Sequence, residues 1–393
     1  MARINSPPIP VFLLDYVLKL SQRGSYTEDP LKIRLSVIIA ALSLGVYQAA
    51  AFGVGNTLNY TPNDWTVDIV AAKLAGIDAF ALNIARDEKA NEQLQSAFDV
   101  AVAQRFQLFF SFDYAGLGAW EKEKVIAIIN RFKDSPAHYK HNNKPLVSTF
   151  EGPEKAADWP EIKAATGCFF VPDWSSRGAK NAISAGANSI DGLFSWAAWP
   201  WGDTDMNTHG DASYMQFLQQ GGKPTYMMPV SPGFYTNLPT WHKNWMWRGD
   251  DLWFDRWLQV VYLTRIQKDF APPTFAQIIS WNDYGESHYI GPLIPKATYA
   301  FEVGKAFTRY ADGVHHDGFR RFLPFLIQLA KTGSATIGTQ GVTMWYRNSE
   351  ALACTYSGTV ANTATQLQRE FSPAAVVADK VFYSALLGAP ATV

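Results

Sequence analysis

The stretch "AQIISWNDYGES", residues 276–287, changes character at one point. An apolar run ends, and Trp281, Asn282, Asp283, Gly285 and Glu286 follow within six positions. The apolar part reads as a buried strand, and Asn, Asp and Gly after it read as a turn. The same layout recurs upstream. "IDAFALNI" (77–84), "QLFFSFD" (107–113), "KPLVSTFEG" (144–152), "GCFFVPD" (167–173), "DGLFSWAAW" (191–199) and "KPTYMMPVSP" (223–232) are short and almost continuously apolar. Helical patterns separate them, at 64–74, 90–104, 120–132, 158–165, 177–187, 212–220 and 250–268, the last capped by Asp250. Strands that do not alternate are buried on both faces, as in a parallel sheet. Seven such strands are clear, and "AAAFGVGN" (49–56) supplies the position of an eighth. Eight strand–helix units close a (β/α)8 barrel of about 250 residues. The reading is therefore an α/β chain whose barrel spans 52–312. An open doubly wound sheet fits less well, because no G-x-G-x-x-G opens a helix. Beyond 312 the pattern changes to one helix and short β-like runs. Residues 313–393 read as a helix plus the start of an accessory β-domain, a truncated β-sandwich.

Composition narrows the function. A formal net charge of −1 gives no electrostatic reason to expect nucleic acid. The chain holds 14 Trp, 17 Tyr and 25 Phe, which suits either a large core or a ligand that stacks on ring faces. Cys168 and Cys354 match no metal-ligand spacing and read as two buried thiols. The apolar stretch 35–46 follows Lys32 and Arg34 and precedes an A-x-A pattern at Ala49 and Ala51, the layout of a secretory signal. It is too short for a comfortable membrane span. An extension of 34 residues precedes it, so 1–51 reads as an N-terminal extension with a signal-like segment. Asn59-Tyr60-Thr61 is a glycosylation sequon, usable on the secretory route. The expected protein is a secreted or cell-wall monomer.

In a barrel, the C-terminal strand ends share one pocket. In order they are Asn83, Asp113, Glu151, Asp173, Trp196, then Ser231 or Tyr235, then Asp283 and Glu286. Nearby loops add Trp199, Trp201 and Asp203, and His288 lies beside Glu286. Gathered carboxylates raise one another's pKa, so one can stay protonated while another is ionised. That pairing, beside aromatic platforms, is what hydrolysis of a glycosidic bond requires. Turn formation, capping and core packing are the structural alternatives for these same residues. No metal or cofactor cluster, nucleophile elbow or P-loop appears in the sequence.

The segments "AGIDAFALNI", "FFSFDYAG", "STFEGP", "VPDW", "FSWAAWPWG" and "SWNDYGESHYIGP" resemble, in order and spacing, the fungal α-1,3-glucanases (mutanases) of glycoside hydrolase family 71. The resemblance runs from about Val54 to the C-terminus. It implies a (β/α)8 barrel followed by a β-sandwich, and inverting hydrolysis of α-1,3-glucan without a cofactor. It also implies that the essential acids lie in W-N-D-x-x-E, here Asp283 and Glu286. Glu286 is expected as acid and Asp283 as base or water-positioner. Asn83, Asp113, Glu151, Asp173, Trp196, Trp199, Asp203, Tyr235, Trp281 and His288 are expected to line the substrate groove. The resemblance further implies a full first strand with a His shortly before "VGN". "QAAAFGVGN" has none, so that strand is expected to be cut or replaced. A non-catalytic carbohydrate-binding barrel and an endo-α-glycosidase on another polymer, such as mannan, are the alternatives.

Overall fold

The structure, a computed structural model, describes residues 46–353 and 370–389. The apolar stretch 35–45 and Cys354 lie outside the described residues. Thirteen strands are present among them. They are β1 (Tyr47–Gly53), β2 (Ala79–Ile84), β3 (Gln107–Asp113), β4 (Lys140–His141), β5 (Lys144–Phe150), β6 (Phe169–Phe170) and β7 (Gly192–Phe194). Then come β8 (Thr225–Val230), β9 (Phe234–Leu238), β10 (Lys243–Trp247), β11 (Phe275–Ile278), β12 (Gly341–Trp345) and β13 (Phe382–Leu386). The fold is mixed α/β around one curled sheet in the order β4-β5-β3-β2-β1-β11-β8-β7, with β6 on β5. Every pairing in it is parallel except that of the short β4 with β5. Isolated parallel bridges, Phe150 to Asp173 and Asp173 to Phe194, link β5 through the end of β6 to β7. Helices alternate with these strands, as the apolar periodicity predicts.

Alternation along each strand sorts side chains to two cores. Ala50, Phe52, Phe80, Leu82, Leu108 and Phe110 face the helices. Ala49, Ala79, Ala81, Phe109, Phe194, Met227 and Phe275 fill the inside of the curl. Both sets are buried, which is why the strands read as unbroken apolar runs. Ala49, Ala79 and Ala81 suit the inside of the curl because the strands curve around a narrow interior, and large residues from other strands fill the remaining space.

The first strand is neither cut nor replaced. β1 has seven residues and pairs with β11 on one side and β2 on the other. Ala49 and Ala51, read as a cleavage pattern, lie in the middle of it. Alanine is favoured both beside a signal-cleavage site and inside a tightly curled sheet, so composition could not separate the two.

Two other local expectations change. β9 and β10 form an antiparallel hairpin inserted after β8, with Phe234 opposite Trp247 and Leu238 opposite Lys243. Asp250 does not cap the helix Leu252–Val261. Its φ is 38°, and its carboxylate receives Arg347 Nη1 at 2.8 Å and the Ala378 amide at 3.1 Å. It therefore fastens the C-terminal segment, whose β12 and β13 form a two-stranded antiparallel sheet. Cys168 is free and buried. Among the described residues no helix is long and apolar enough to cross a membrane.

Candidate active site

The segment after β11 divides its three leading residues among three tasks. Trp281 turns into the outer core, wholly buried, and its Nε1–H donates to Asp68 Oδ1 at 2.9 Å. Asn282 joins the segment to the end of β1: its Oδ1 accepts from Gly53 N at 2.7 Å and its Nδ2 donates to Gly53 O at 3.1 Å. Asp283 is left over the strand ends, half-buried. Its backbone N–H donates to Ser280 Oγ at 2.9 Å, and its Oδ1 accepts the Glu286 amide at 3.0 Å. The turn is thus tied to the helix Pro62–Leu74 through Asp68 and to the end of β1 through Gly53 before any substrate arrives.

Glu286 is the centre of the site. Lys243 Nζ lies 2.8 Å from its Oε1, and His288 Nε2 lies 3.0 Å from its Oε2. The other nitrogen of His288, Nδ1, is 2.9 Å from Ser280 Oγ. His288 is packed beneath Trp199, with ring centroids 5.6 Å apart at 30°, and against Phe234 at 5.4 Å. The Trp199 indole N–H is fixed on Gly233 O at 2.9 Å. Both carboxylate oxygens therefore have a nitrogen partner, one of them an ammonium.

Electrostatics separate the two acids. Burial pushes Glu286 upward, but the Lys243 charge and the His288 hydrogen bond outweigh it and hold Glu286 far below the usual carboxylate range. Burial first, and then the charge of Glu286, push Asp283 above its ordinary value. Burial also raises Asp113, against hydrogen bonds from the amides of Gly116 and Ala115, each at 2.8 Å to Oδ1. The charges of Lys243 and Glu286 act on Asp113 as well, so it faces the same group. Glu286 is the ionised member, opposite to the role expected from sequence.

Asp283, Glu286 and His288 each place one ligand-type atom within 4.8 Å of the others. The same three groups could hold a metal ion. The Lys243 ammonium already supplies positive charge at Glu286 Oε1, and a cation there would stand beside it.

A second acidic cluster lies at the ends of β5 to β7. Glu151 has a φ of 54°, uncommon for a residue with a Cβ. Ser176 holds it, donating its N–H to Oε1 at 3.0 Å and its hydroxyl to Oε2 at 2.5 Å. Asp173 is wholly buried and accepts from Ser175 N and Oγ, while its Oδ2 has no hydrogen-bond partner among the described residues. Burial and then the Glu151 charge push Asp173 well above its ordinary value, toward the protonated form. Ser175 Oγ also accepts from the Trp196 amide at 2.8 Å, which seats the half-buried Trp196 ring against Phe150.

The expected groove residues therefore separate. Asp113, Trp199 and His288 gather at Asp283 and Glu286. Glu151, Asp173 and Trp196 form the neighbouring cluster. Asn83 is the penultimate residue of β2, half-buried, and its Oδ1 has no partner among the described residues. Three others are placed elsewhere. Trp281 is core, because its ring fills the layer between sheet and helices. Tyr235 stands beside Met246 on the hairpin face opposite Lys243, its ring edge-on to Tyr310 at 4.9 Å. Asp203 is exposed on a loop, and its carbonyl accepts from Arg248 Nη2 at 3.1 Å. Sequence reading missed Lys243, Ser280, Ser175 and Ser176, since a lysine in a hairpin and serines after strands carry no motif.

Trp281→Phe is expected to remove a donor from the buried Asp68 and to cost about 1–3 kcal/mol of stability. Thermal melting should fall while the half-saturation constant for substrate stays unchanged. A changed half-saturation constant at unchanged melting temperature would return Trp281 to the groove.

Comparison with known proteins identifies the family. A glucan endo-1,3-alpha-glucosidase, agn1 of Schizosaccharomyces pombe, is 34% identical over 334 residues, covering 81% of this chain and 74% of that protein. The mutanase Pc12g07500 of Penicillium rubens is 33% identical over 358 residues, covering 88% of this chain and 74% of that protein. In fold, the chain is similar to the GH99 endo-alpha-mannosidase of Bacteroides thetaiotaomicron, with a TM-score of 0.52 at 13% identity over 72% of this chain and 97% of that one. That neighbour is consistent with a barrel. Residues 47–393 match the sequence profile of glycosyl hydrolase family 71, a span that begins at the first residue of β1, and the chain is a glycoside hydrolase belonging to that family.

Proposed function

We propose that this chain hydrolyses α-1,3-linked glucan with inversion at the anomeric carbon, on the C-terminal rim of a (β/α)8 barrel. One observation carries the reading. A carboxylate, Glu286, is held ionised between Lys243 and His288, while two carboxyls beside it, Asp283 and Asp113, are pushed toward the protonated form. Asp283 and Glu286 come within 4.8 Å of each other, less than the spacing of about 6.5–9.5 Å that leaves room for a water in inversion. They therefore work from one side. Glu286 takes the proton from the attacking water, and Asp283 orients that water. The opposing proton comes from Asp113, whose strand is separated from β11 by β2 and β1. Trp199 and Trp196 offer ring faces to the sugar chain. The substrate is drawn from the named activities of the two relatives, and the C-terminal segment with β12 and β13 is an accessory β-unit.

The test is a panel of insoluble α-1,3-glucan, α-1,4-glucan and α-mannan, with the anomer of the first product followed by proton NMR. Reducing sugar from α-1,3-glucan alone, released as the β-anomer, is expected. Release from α-mannan instead favours an endo-α-glycosidase on another polymer. Retention on glucan with no release favours a non-catalytic carbohydrate-binding barrel.

The working location we propose is outside the cell, in the medium or the wall, and the protein acts as a monomer. The signal-like run and the exposed Asn59 of the sequon support this. Processing after Ala51 would remove most of β1 and leave β2 and β11 without their shared neighbour. N-terminal sequencing of secreted protein is therefore expected to find a start at or before Tyr47. A start at Phe52 in active material would contradict the role given to β1.

A further inference from the structure

The β9–β10 hairpin carries more than Lys243. Residues directly opposite in an antiparallel pair share a face, and every second residue along a strand does too. Lys243, Trp245 and Trp247 therefore stand in one row on β10, with Phe234 across from Trp247. The side-chain contacts agree. Lys243 Nζ reaches Glu286 and lies 5.9 Å from the Trp245 ring centroid. Trp245 stacks on Phe234 at 5.5 Å and 10°, and Phe234 touches Trp199 and His288. Met246, on the other face, packs on the C-terminal segment. The row thus starts at the ionised carboxylate and runs outward along one surface.

At its outer end Trp247 meets Trp201, with centroids 5.5 Å apart at 41°. Trp201 is 46% exposed and stands against a second, half-buried tryptophan, so the two make a paired ring surface rather than a lone exposed side chain. Four residue steps along the strand separate Lys243 from Trp247, a span of about 13 Å. That is too far for the sugar at the scissile bond and suited to a ring further along the same chain. Flat apolar ring faces flanked by polar groups suit a pyranose, which presents C–H bonds on its face and hydroxyls at its edge.

We propose that Trp201 and Trp247 form a distal platform that stacks a glucosyl ring of a long polysaccharide away from the cleavage point. The ligand class rests on the glucanase reading above, whereas the platform rests on the hairpin row. Because it lies far from the reacting atoms, it holds substrate and transition state equally and acts on KM rather than kcat.

The experiment uses Trp201→Ala and Trp247→Ala in the full chain, with Trp247→Phe as the ring-keeping control and thermal melting as the check on folding. Adsorption to insoluble α-1,3-glucan is measured in a Glu286→Gln background, so that binding does not depend on turnover. Each alanine variant is expected to weaken adsorption by about five- to tenfold and to raise KM on soluble long oligosaccharides by a similar factor at unchanged kcat. Trp247→Phe should keep most of both. Wild-type adsorption and KM in a folded Trp201→Ala protein overturn the platform, and Trp201 is exposed enough that this variant should fold. If the wild-type chain releases no sugar from α-1,3-glucan yet its adsorption depends on Trp201, the glucanase reading fails and the platform stands.

Discussion

Glu286→Gln should lower kcat on α-1,3-glucan by about 10³-fold or more, with adsorption to the polymer retained. General-base catalysis contributes roughly 10²–10⁴-fold, and an amide cannot take a proton from water. The substitution keeps size and can still accept from His288, so the loss is expected in kcat rather than in folding. It also removes the charge that Lys243 faces at 2.8 Å, which adds to the loss. Asp283→Asn is expected to cost less, because an amide can still orient the water. Asp113→Asn removes the donor and should weaken most those reactions whose leaving group needs a proton. Near-normal turnover in Glu286→Gln would remove the base from the mechanism. Full rescue of that variant by external azide, with an α-glycosyl azide as product, would contradict inversion.

Lys243→Met should reduce kcat/KM by about 10²-fold, the scale of losing one fixed electrostatic partner at a charged centre. The pH profile is the more specific readout. Burial alone would raise Glu286, and it is Lys243, followed by His288, that brings it down. With the ammonium gone, the carboxyl titrates higher, so the acidic limb of the profile moves to higher pH. Stability should respond with a matching sign. In the native protein the folded pKa of Glu286 is depressed, so its contribution is present above the unfolded value and is lost only as pH falls through the folded one. In Lys243→Met the folded pKa is less depressed, so less of that contribution is present above the unfolded value. The melting deficit against wild type should therefore grow from acid to neutral pH. Lys243→Arg should restore the acidic limb. An unmoved acidic limb in Lys243→Met would show that Lys243 does not hold the charge of Glu286.

The strand pattern was legible because burial on both faces leaves an unbroken apolar run. "QLFFSFD" maps onto β3 residue for residue, and the acids that end β3 and follow β5 and β11 lie over the strand ends. Three features were not legible. Trp281, Asn282 and Asp283 are adjacent, yet one goes to the core, one to β1 and one to the acids over the strand ends, and no periodicity assigns those directions. The alanines of β1 look like the end of a signal because small side chains satisfy two unrelated requirements. Lys243 lies 43 residues before Glu286 on a hairpin that no strand–helix rhythm predicts.

Sequence alone determined most of the strands and helices from β2 to β11, the hairpin excepted, that acids follow several strands, and to which family the motifs point. These follow from local properties: side-chain period, turn chemistry and residue type. Only the tertiary structure decided which acid keeps its charge. That depends on what a carboxylate faces at about 3 Å, and Lys243 and His288 reach Glu286 from two different segments. A pKa is set by neighbours in space, and neighbours in space are what a sequence does not list.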